Sequence, residues 1–347
     1  RYDTFIHYGI AAAAQAVALN SCTAALHLSL LAAGVGPGDE VVTPALTFCS
    51  AANAVLHTGA TPVLADVDAA TMNMNADGLR AVLTPRTRAV IALHFAGRPC
   101  EMDGILEAAR EQGLAVIEDC AHAVESQYRG QAVGALGDFG CFSFYSTKNL
   151  ATGEGGMVLA RDPAQAERIR RMSLHGMSRD AWRRYSVDGF RHYDVVECGY
   201  KFNMMDIQAS LGLCQLDRLE QAWTARAAHW ARYQDAFAAL PLVRPAPVPG
   251  HMRHAYHLYT LLVDESACGI SRDAMLQHLH ARGVGSGVHY RALPEFTYYR
   301  EQLGWQTGDV PVATAIGRST LSLPIGPRLS DSDVDRVIDA VRSAMPG

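Results

Sequence analysis

The alternation of short apolar strands with helical stretches between residues 39 and 119 predicts an α/β fold: a large domain with a mostly parallel sheet between helices, plus a smaller C-terminal α/β domain. Three observations carry this. Strand-like and helix-like runs alternate in βαβα order. The strand-like runs are short and apolar, as in a sheet covered on both faces. A break at Pro241, Pro245, Pro247, Pro249 and Gly250 then interrupts the pattern. The expected division is a large domain over residues 1–240, including a long connecting helix, and a small domain over 241–347.

Arg1-Tyr-Asp-Thr-Phe5 reads as the middle of a helix without a cap, so further residues are expected before it. Ala16–Leu19 is a short apolar strand, and a helix over Ala24–Ala33 follows, with Ser21 or Thr23 as its cap. A strand that turns through small polar residues into a helix N-terminus exposes amides and the positive end of a dipole, a candidate phosphate cup. Taken alone, it is equally an ordinary cap. The glycines of Gly34-Val-Gly-Pro-Gly38 follow a helix instead of opening one, which reverses a dinucleotide fingerprint.

Further elements are expected at Val41–Pro44 (strand), Ser50–Leu56 (helix), Thr61–Asp66 (strand), Ala76–Val82 (helix), Ala89–Leu93 (strand), 102–112 (helix) and Leu114–Asp119 (strand). Side chains alternate along a strand, so Glu118 and Asp119 face opposite sides. Ligands of such sheets bind beyond the carboxyl ends of the strands, where Asp119 and Cys120-Ala-His122 lie; an isolated strand-end Asp is also a common helix cap.

A buried strand at 139–145 delivers Lys148 into a turn rich in Gly, Thr and Ser. An amine withdrawn from water loses proton affinity and becomes a nucleophile, so Lys148 is a candidate Schiff-base lysine. The competing reading is a strand-end lysine with its head in solvent. Past Val158-Leu-Ala-Arg161, a helix carrying Glu167–Arg171 comes next. The polar and aromatic section from His175 to Tyr200, with Arg179, Tyr185 and Arg191, reads as a substrate or interface loop, or as solvated surface. Asp206 is expected to cap a helix continuing to about 239. Beyond the proline break come a strand over 256–263, a helix over 271–281, a loop around Gly283–Pro294 and a last helix over Asp331–Met345. His251, His254 and His257 resemble a metal cluster, but no companion ligand has suitable spacing and no metal is expected.

Composition excludes other classes. With 49% hydrophobic and 19% charged residues among 347, the chain can bury one large core and a smaller second one. A net charge of −5 and a pI near 6.3 leave no basic stripe for a phosphate backbone, so nucleic acid is not an expected partner. No apolar run reaches the roughly 18 to 20 residues that cross a bilayer, and no signal-peptide pattern opens the chain. The expected compartment is the cytoplasm, with no membrane partner. Eight cysteines without a CxxC pair read as reduced packing residues.

Five stretches, in order and spacing, resemble the DegT/StrS-type nucleotide-sugar aminotransferases: Asn20-Ser-Cys-Thr-Ala-Ala-Leu26, Glu118-Asp-Cys-Ala-His-Ala123, Phe142-Ser-Phe-Tyr-Ser-Thr-Lys-Asn149, Gly153-Glu-Gly-Gly156 and Gly199-Tyr-Lys-Phe-Asn-Met-Met-Asp-Ile-Gln208. His254-Ala-Tyr-His-Leu258 and Gly287-Val-His-Tyr-Arg291 extend the likeness into the small domain. The resemblance implies fold type I and the cofactor pyridoxal 5′-phosphate. It makes Lys148 the Schiff-base lysine, Asp119 the partner of the pyridine nitrogen, His122 a neighbour of the phenolic oxygen and Phe48 the stacking ring. Thr23, Ala24 and Ser143 would hold the phosphate, with Asn203 reaching in from a second subunit, which implies a homodimer with shared active sites. Substrate contacts are expected from Arg179, Tyr185, His289 and Tyr290.

The implied reaction moves an amino group from glutamate to a keto group, at C4, of a nucleotide-linked sugar through pyridoxamine phosphate, as in amino-sugar biosynthesis for lipopolysaccharide or antibiotics. Several stretches look nearest to the branch that makes UDP-4-amino-4-deoxy-L-arabinose. Cys22 departs from the family's usual glycine and Lys201 from its common asparagine. A cofactor-dependent sugar dehydratase is the alternative, although a histidine replaces the lysine in that branch. A non-catalytic regulatory protein of the same fold is the other; the intact Lys148, Asp119 and His122 weigh against it.

Overall fold

The computed structural model describes residues 15–178 and 192–345. In chain order, the first part comprises β1 (Gln15–Leu19), α1 (Cys22–Ala32), β2 (Glu40–Pro44), α2 (Ser50–His57), β3 (Thr61–Ala65), α3 (Ala76–Arg80), β4 (Thr87–Leu93), α4 (Met102–Gln112) and β5 (Ala115–Asp119). A small hairpin, β6 (Gln127–Tyr128) and β7 (Gln131–Ala132), precedes β8 (Phe139–Ser143), β9 (Gly156–Ala160) and α5 (Pro163–Met172). Apart from the β6–β7 hairpin, these strands form a seven-stranded sheet in the order β1-β9-β8-β5-β4-β2-β3. The pairs from β3 through β8 are parallel, and β9 alone runs against the rest. The expected mostly parallel sheet is therefore present.

Strand alternation builds two cores from one sheet. Val41, Ala89, Ile91, Ile117 and Cys141 bury toward α1 and its Leu26, Leu28 and Leu30. Their neighbours Val42, Val90, Ala92, Val116 and Phe142 bury on the other face with Met102, Ile105 and Ala109 of α4. Because both faces are covered, these strands are apolar throughout, the pattern expected of parallel strands between helix layers.

The remaining elements are α6 (Asp206–Leu216), α7 (Leu219–Ala236), β10 (Leu242–Val243), β11 (Met252–Arg253), β12 (Tyr259–Val263), α8 (Glu265–Cys268), α9 (Arg272–Ala281), α10 (Thr297–Leu303), α11 (Pro311–Ser319), β13 (Thr320–Leu323) and α12 (Asp331–Arg342). A third core joins Tyr259, Leu261 and Val263 of β12 to Leu321 and Leu323 of β13 and to Val334, Ile338 and Val341 of α12. Trp230 and Tyr233 of α7, with Phe237 just beyond it, belong to that core too. A division at residues 240 and 241 is a proposal, and this packing draws the end of α7 toward the C-terminal side of it.

Three local expectations are corrected. The single helix from Asp206 to about 239 is two, because the chain turns at Asp217 and Arg218. Leu216 and Leu219 anchor both helices in the first core. The cap of α6 is Met205, whose N–H donates to Gln208 Oε1 at 3.1 Å, and Asp206 instead sits in the first turn, where a negative charge suits the dipole. His257 precedes β12, because Tyr256 takes a left-handed φ of 51° that interrupts the extended run.

Candidate active site

A cavity of about 500 Å³ opens at the carboxyl ends of the parallel strands. Leu93 ends β4, Asp119 ends β5 and Ser143 ends β8, and all three line it. The N-terminus of α1 supplies Ser21, Cys22 and Thr23; the segment after β2 supplies Thr47, Phe48 and Ser50; the C-terminal part of the chain supplies His289 and Tyr290.

Ser21 is the cap, its Oγ accepting from Ala24 N at 3.1 Å. The end of α1 lies against the start of β9, where a Cβ on Gly156 would overlap the Ser21 carbonyl. That position of Gly153-Glu-Gly-Gly156 has to be glycine for the helix end to reach the cavity. Thr23 lines the cavity as expected. Ala24 is placed differently: its side chain is in the core and its N–H is committed to Ser21.

Asp119 is buried, with Oδ1 accepting from Ala121 N at 3.0 Å and facing Cys22 Sγ at 3.9 Å. Burial pushes its carboxyl above the ordinary carboxylate range, while the Ala121 N–H, Lys148, His94 and the Cys22 thiol oppose the rise. Lys148 lines the same cavity, held in its turn by Lys148 N donating to Tyr145 O at 2.8 Å. Burial lowers its proton affinity, and Asp119 and Cys22 oppose that. An amine tuned toward its neutral form and a buried carboxylate thus share one cavity.

The segment carrying Lys148 is anchored from behind. Asn149 Nδ2 donates to Glu125 Oε2 at 2.9 Å and to Ala255 O at 3.0 Å, and Asn149 Oδ1 accepts from His257 Nδ1 at 2.9 Å. Glu125 is ion-paired with Arg226, both almost wholly buried. Sequence reasoning missed this cluster, since bonded members lie up to 108 residues apart and follow no period.

Both nitrogens of His122 are occupied: Nδ1 accepts from Ala96 N at 3.2 Å, and Nε2 lies 3.0 Å from Tyr290 Oη. Phe48 is 57% exposed at the cavity rim, its ring centroid 6.0 Å from that of Tyr290. His289 Nδ1 lies 2.9 Å from Ser322 Oγ, and burial with nearby Lys148 lowers its pKa to about 4. Asn203 does not line this cavity; its Oδ1 accepts from Lys201 Nζ at 2.5 Å, which links it to the other departure noted in the sequence. Arg179 and Tyr185 lie outside the described residues. Tyr145, Thr147 and Glu154 line the cavity without having been singled out, although each flanks a motif residue.

Among the described residues, one grouping has ligand atoms close enough for a metal, His94, Glu118 and Cys120. Hydrogen bonds already occupy it: His94 Nδ1 accepts from Cys100 N, His94 Nε2 faces Glu118, and the Glu118 carboxylate accepts from Gly134 N, Leu136 N and Gly137 N. No described helix is long and apolar enough to cross a membrane.

The cavity fits pyridoxal 5′-phosphate, because an amine, a buried carboxylate and a capped helix N-terminus surround a single space. Comparison with known proteins agrees. Residues 5–342 match the model of the DegT/DnrJ/EryC1/StrS aminotransferase family. The chain is 50% identical over 336 residues to the spore coat polysaccharide biosynthesis protein SpsC of Bacillus subtilis, covering 96% of this chain and 86% of SpsC. Among solved structures it is similar to the aminotransferase TlmJ of Streptoalloteichus hindustanus, at 39% identity and a TM-score of 0.89, covering 99% of this chain and 88% of TlmJ. The PLP form of the putative sugar aminotransferase Spr1654 of Streptococcus pneumoniae matches at 33% identity and a TM-score of 0.90, covering 98% and 89%. The chain belongs to the DegT/DnrJ/EryC1/StrS aminotransferase family and is a pyridoxal 5′-phosphate-dependent sugar aminotransferase of fold type I.

Proposed function

We propose that this enzyme moves an amino group from glutamate to the C4 keto group of a nucleotide-linked sugar, as a cytoplasmic homodimer with shared active sites. The observation that carries the reading is the sharing of one cavity by Lys148, Asp119 and the N-terminus of α1. Bound there, the cofactor supplies an electron sink for the bond broken at the donor's α-carbon.

The chain's residues provide the rest. Thr23 and Ser143 hold the phosphate at the positive end of α1. Asp119, whose carboxyl burial pushes upward while the Ala121 N–H and Lys148 oppose the rise, would hold the ring nitrogen in its protonated form. Phe48, at the cavity rim, would stack on the cofactor. Lys148, its proton affinity lowered by burial, would serve as the base that accepts the donor's α-proton. His122, both of whose nitrogens are bonded within the chain, would be a neighbour of the phenolic oxygen, and His289 and Tyr290, with Arg179 and Tyr185, would meet the substrate.

Exposed apolar side chains on and before α6, Met205 at 58%, Ile207 at 72% and Leu211 at 50%, support the homodimer. Asn203, beside this surface, would reach the partner's phosphate site. The test is a panel of UDP-, GDP- and dTDP-linked 3- and 4-keto sugars with ¹⁵N-glutamate. Label is expected at C4 of one nucleotide-linked product; label at C3, or no labelled sugar from any member, refutes the reading.

A further inference from the structure

We infer that Tyr290 is a fixed hydrogen-bond donor in the cavity, oriented by His122, and that the substrate atom bound beside it is an acceptor oxygen. The identity of that substrate rests on the function proposed above, whereas the direction of the hydrogen bonds rests on this chain alone.

The Ala96 N–H can only donate, so His122 Nδ1, 3.2 Å away, presents its lone pair. The ring is 4% exposed and neighbours Lys148, His257 and His289, surroundings that disfavour an imidazolium. A neutral ring with Nδ1 unprotonated carries its proton on Nε2. That nitrogen lies 3.0 Å from Tyr290 Oη and donates to it. The phenol therefore spends an acceptor lone pair on His122 and keeps its own proton. Among the described residues no other hydrogen bond to Tyr290 Oη is found, and Tyr290 lines the cavity.

The proton is thus available to a ligand, and a ligand presenting a donor at this point leaves a buried phenol unsatisfied. The ring itself is held independently of its hydroxyl: Phe95 and His289 lie edge-on to it at 6.3 and 5.1 Å, and the His122 ring stacks at 6.0 Å. Two substrate groups present acceptor oxygens, the carboxylate of the amino donor and the oxygens of the sugar.

Two measurements test this. In ¹⁵N-labelled holoenzyme, the His122 ring, assigned by its loss in His122→Gln, should show an unprotonated Nδ1 and a protonated Nε2; a protonated Nδ1 overturns the inference. Tyr290→Phe removes only the hydroxyl. It should retain the near-visible absorbance of lysine-bound cofactor and slow a half-reaction by about 10- to 100-fold, the usual effect of losing one hydrogen bond to a neutral or charged acceptor. Slowing with glutamate identifies the carboxylate as acceptor; slowing with the keto sugar identifies a sugar oxygen. Rates within twofold of wild type in both halves, or a shifted absorbance with unchanged rates, overturn it. If no keto sugar reacts with the unmodified enzyme, the proposed function fails, while the ring measurement and the glutamate half-reaction still decide this inference.

Discussion

The ion pair behind the lysine turn can be broken from one side. Arg226→Met removes a guanidinium whose side chain is 2% exposed and leaves Glu125, fully buried, with Asn149 Nδ2 as its remaining side-chain donor. Burial already raises the Glu125 carboxyl, and Arg226 is the largest influence opposing that rise. Deleting one member of such a pair costs about 3–5 kcal/mol, mostly from the charge left uncompensated. The variant should lose that much in urea unfolding at pH 7. The sign with pH follows from the raised folded-state value. Glu125 is then ionised at a cost above its folded pKa, so the deficit shrinks as the pH falls and the carboxyl takes up a proton. The double variant Arg226→Met with Glu125→Gln should recover much of the loss, since a neutral amide needs no counter-charge. A single variant within 1 kcal/mol of wild type, or a double variant no better than the single, refutes the reasoning.

Two further outcomes follow from the site. Asp119→Asn should retain cofactor yet lower the amination rate by about 100-fold or more, because a neutral amide does not hold the ring nitrogen protonated; an unchanged rate in steady-state assays contradicts the role. Gly156→Ala places a methyl against the Ser21 carbonyl, so α1 has to shift at a cost of about 1–3 kcal/mol. Cofactor affinity measured by titration of the apoenzyme should fall with it, and an unaltered affinity would separate the helix end from phosphate binding.

Much of this architecture is legible in the sequence because it is local. Strands β2 to β5 are short apolar runs bounded by turns, so element type follows from pattern, while pattern leaves Ser21 and Thr23 as cap candidates of which the structure has Ser21. Asp119 stands at the end of β5 and Lys148 in the turn five residues beyond β8, at the edge where parallel sheets expose side chains to ligands. Elements between residues 283 and 330 are less legible, whereas the last helix is found at Asp331–Arg342 where it is expected. Only Pro311 signals the start of α11, and β13 is four residues whose Leu321 and Leu323 gain meaning by packing on β12. The anchor formed by Asn149, Glu125, Arg226 and His257 is invisible to periodicity, because distant segments supply it. The cap bond from the Ala24 N–H to Ser21 Oγ is likewise a detail that pattern alone does not show.

The central claim is that Lys148 is the amine that binds the cofactor opposite Asp119. Borohydride reduction of the purified holoenzyme, followed by proteolysis and mass spectrometry, tests it most directly. The pyridoxyl group is expected on the peptide carrying Lys148, with Lys148→Ala left unlabelled. Label on Lys201 instead, or an unlabelled Lys148 peptide from cofactor-saturated enzyme, would contradict it.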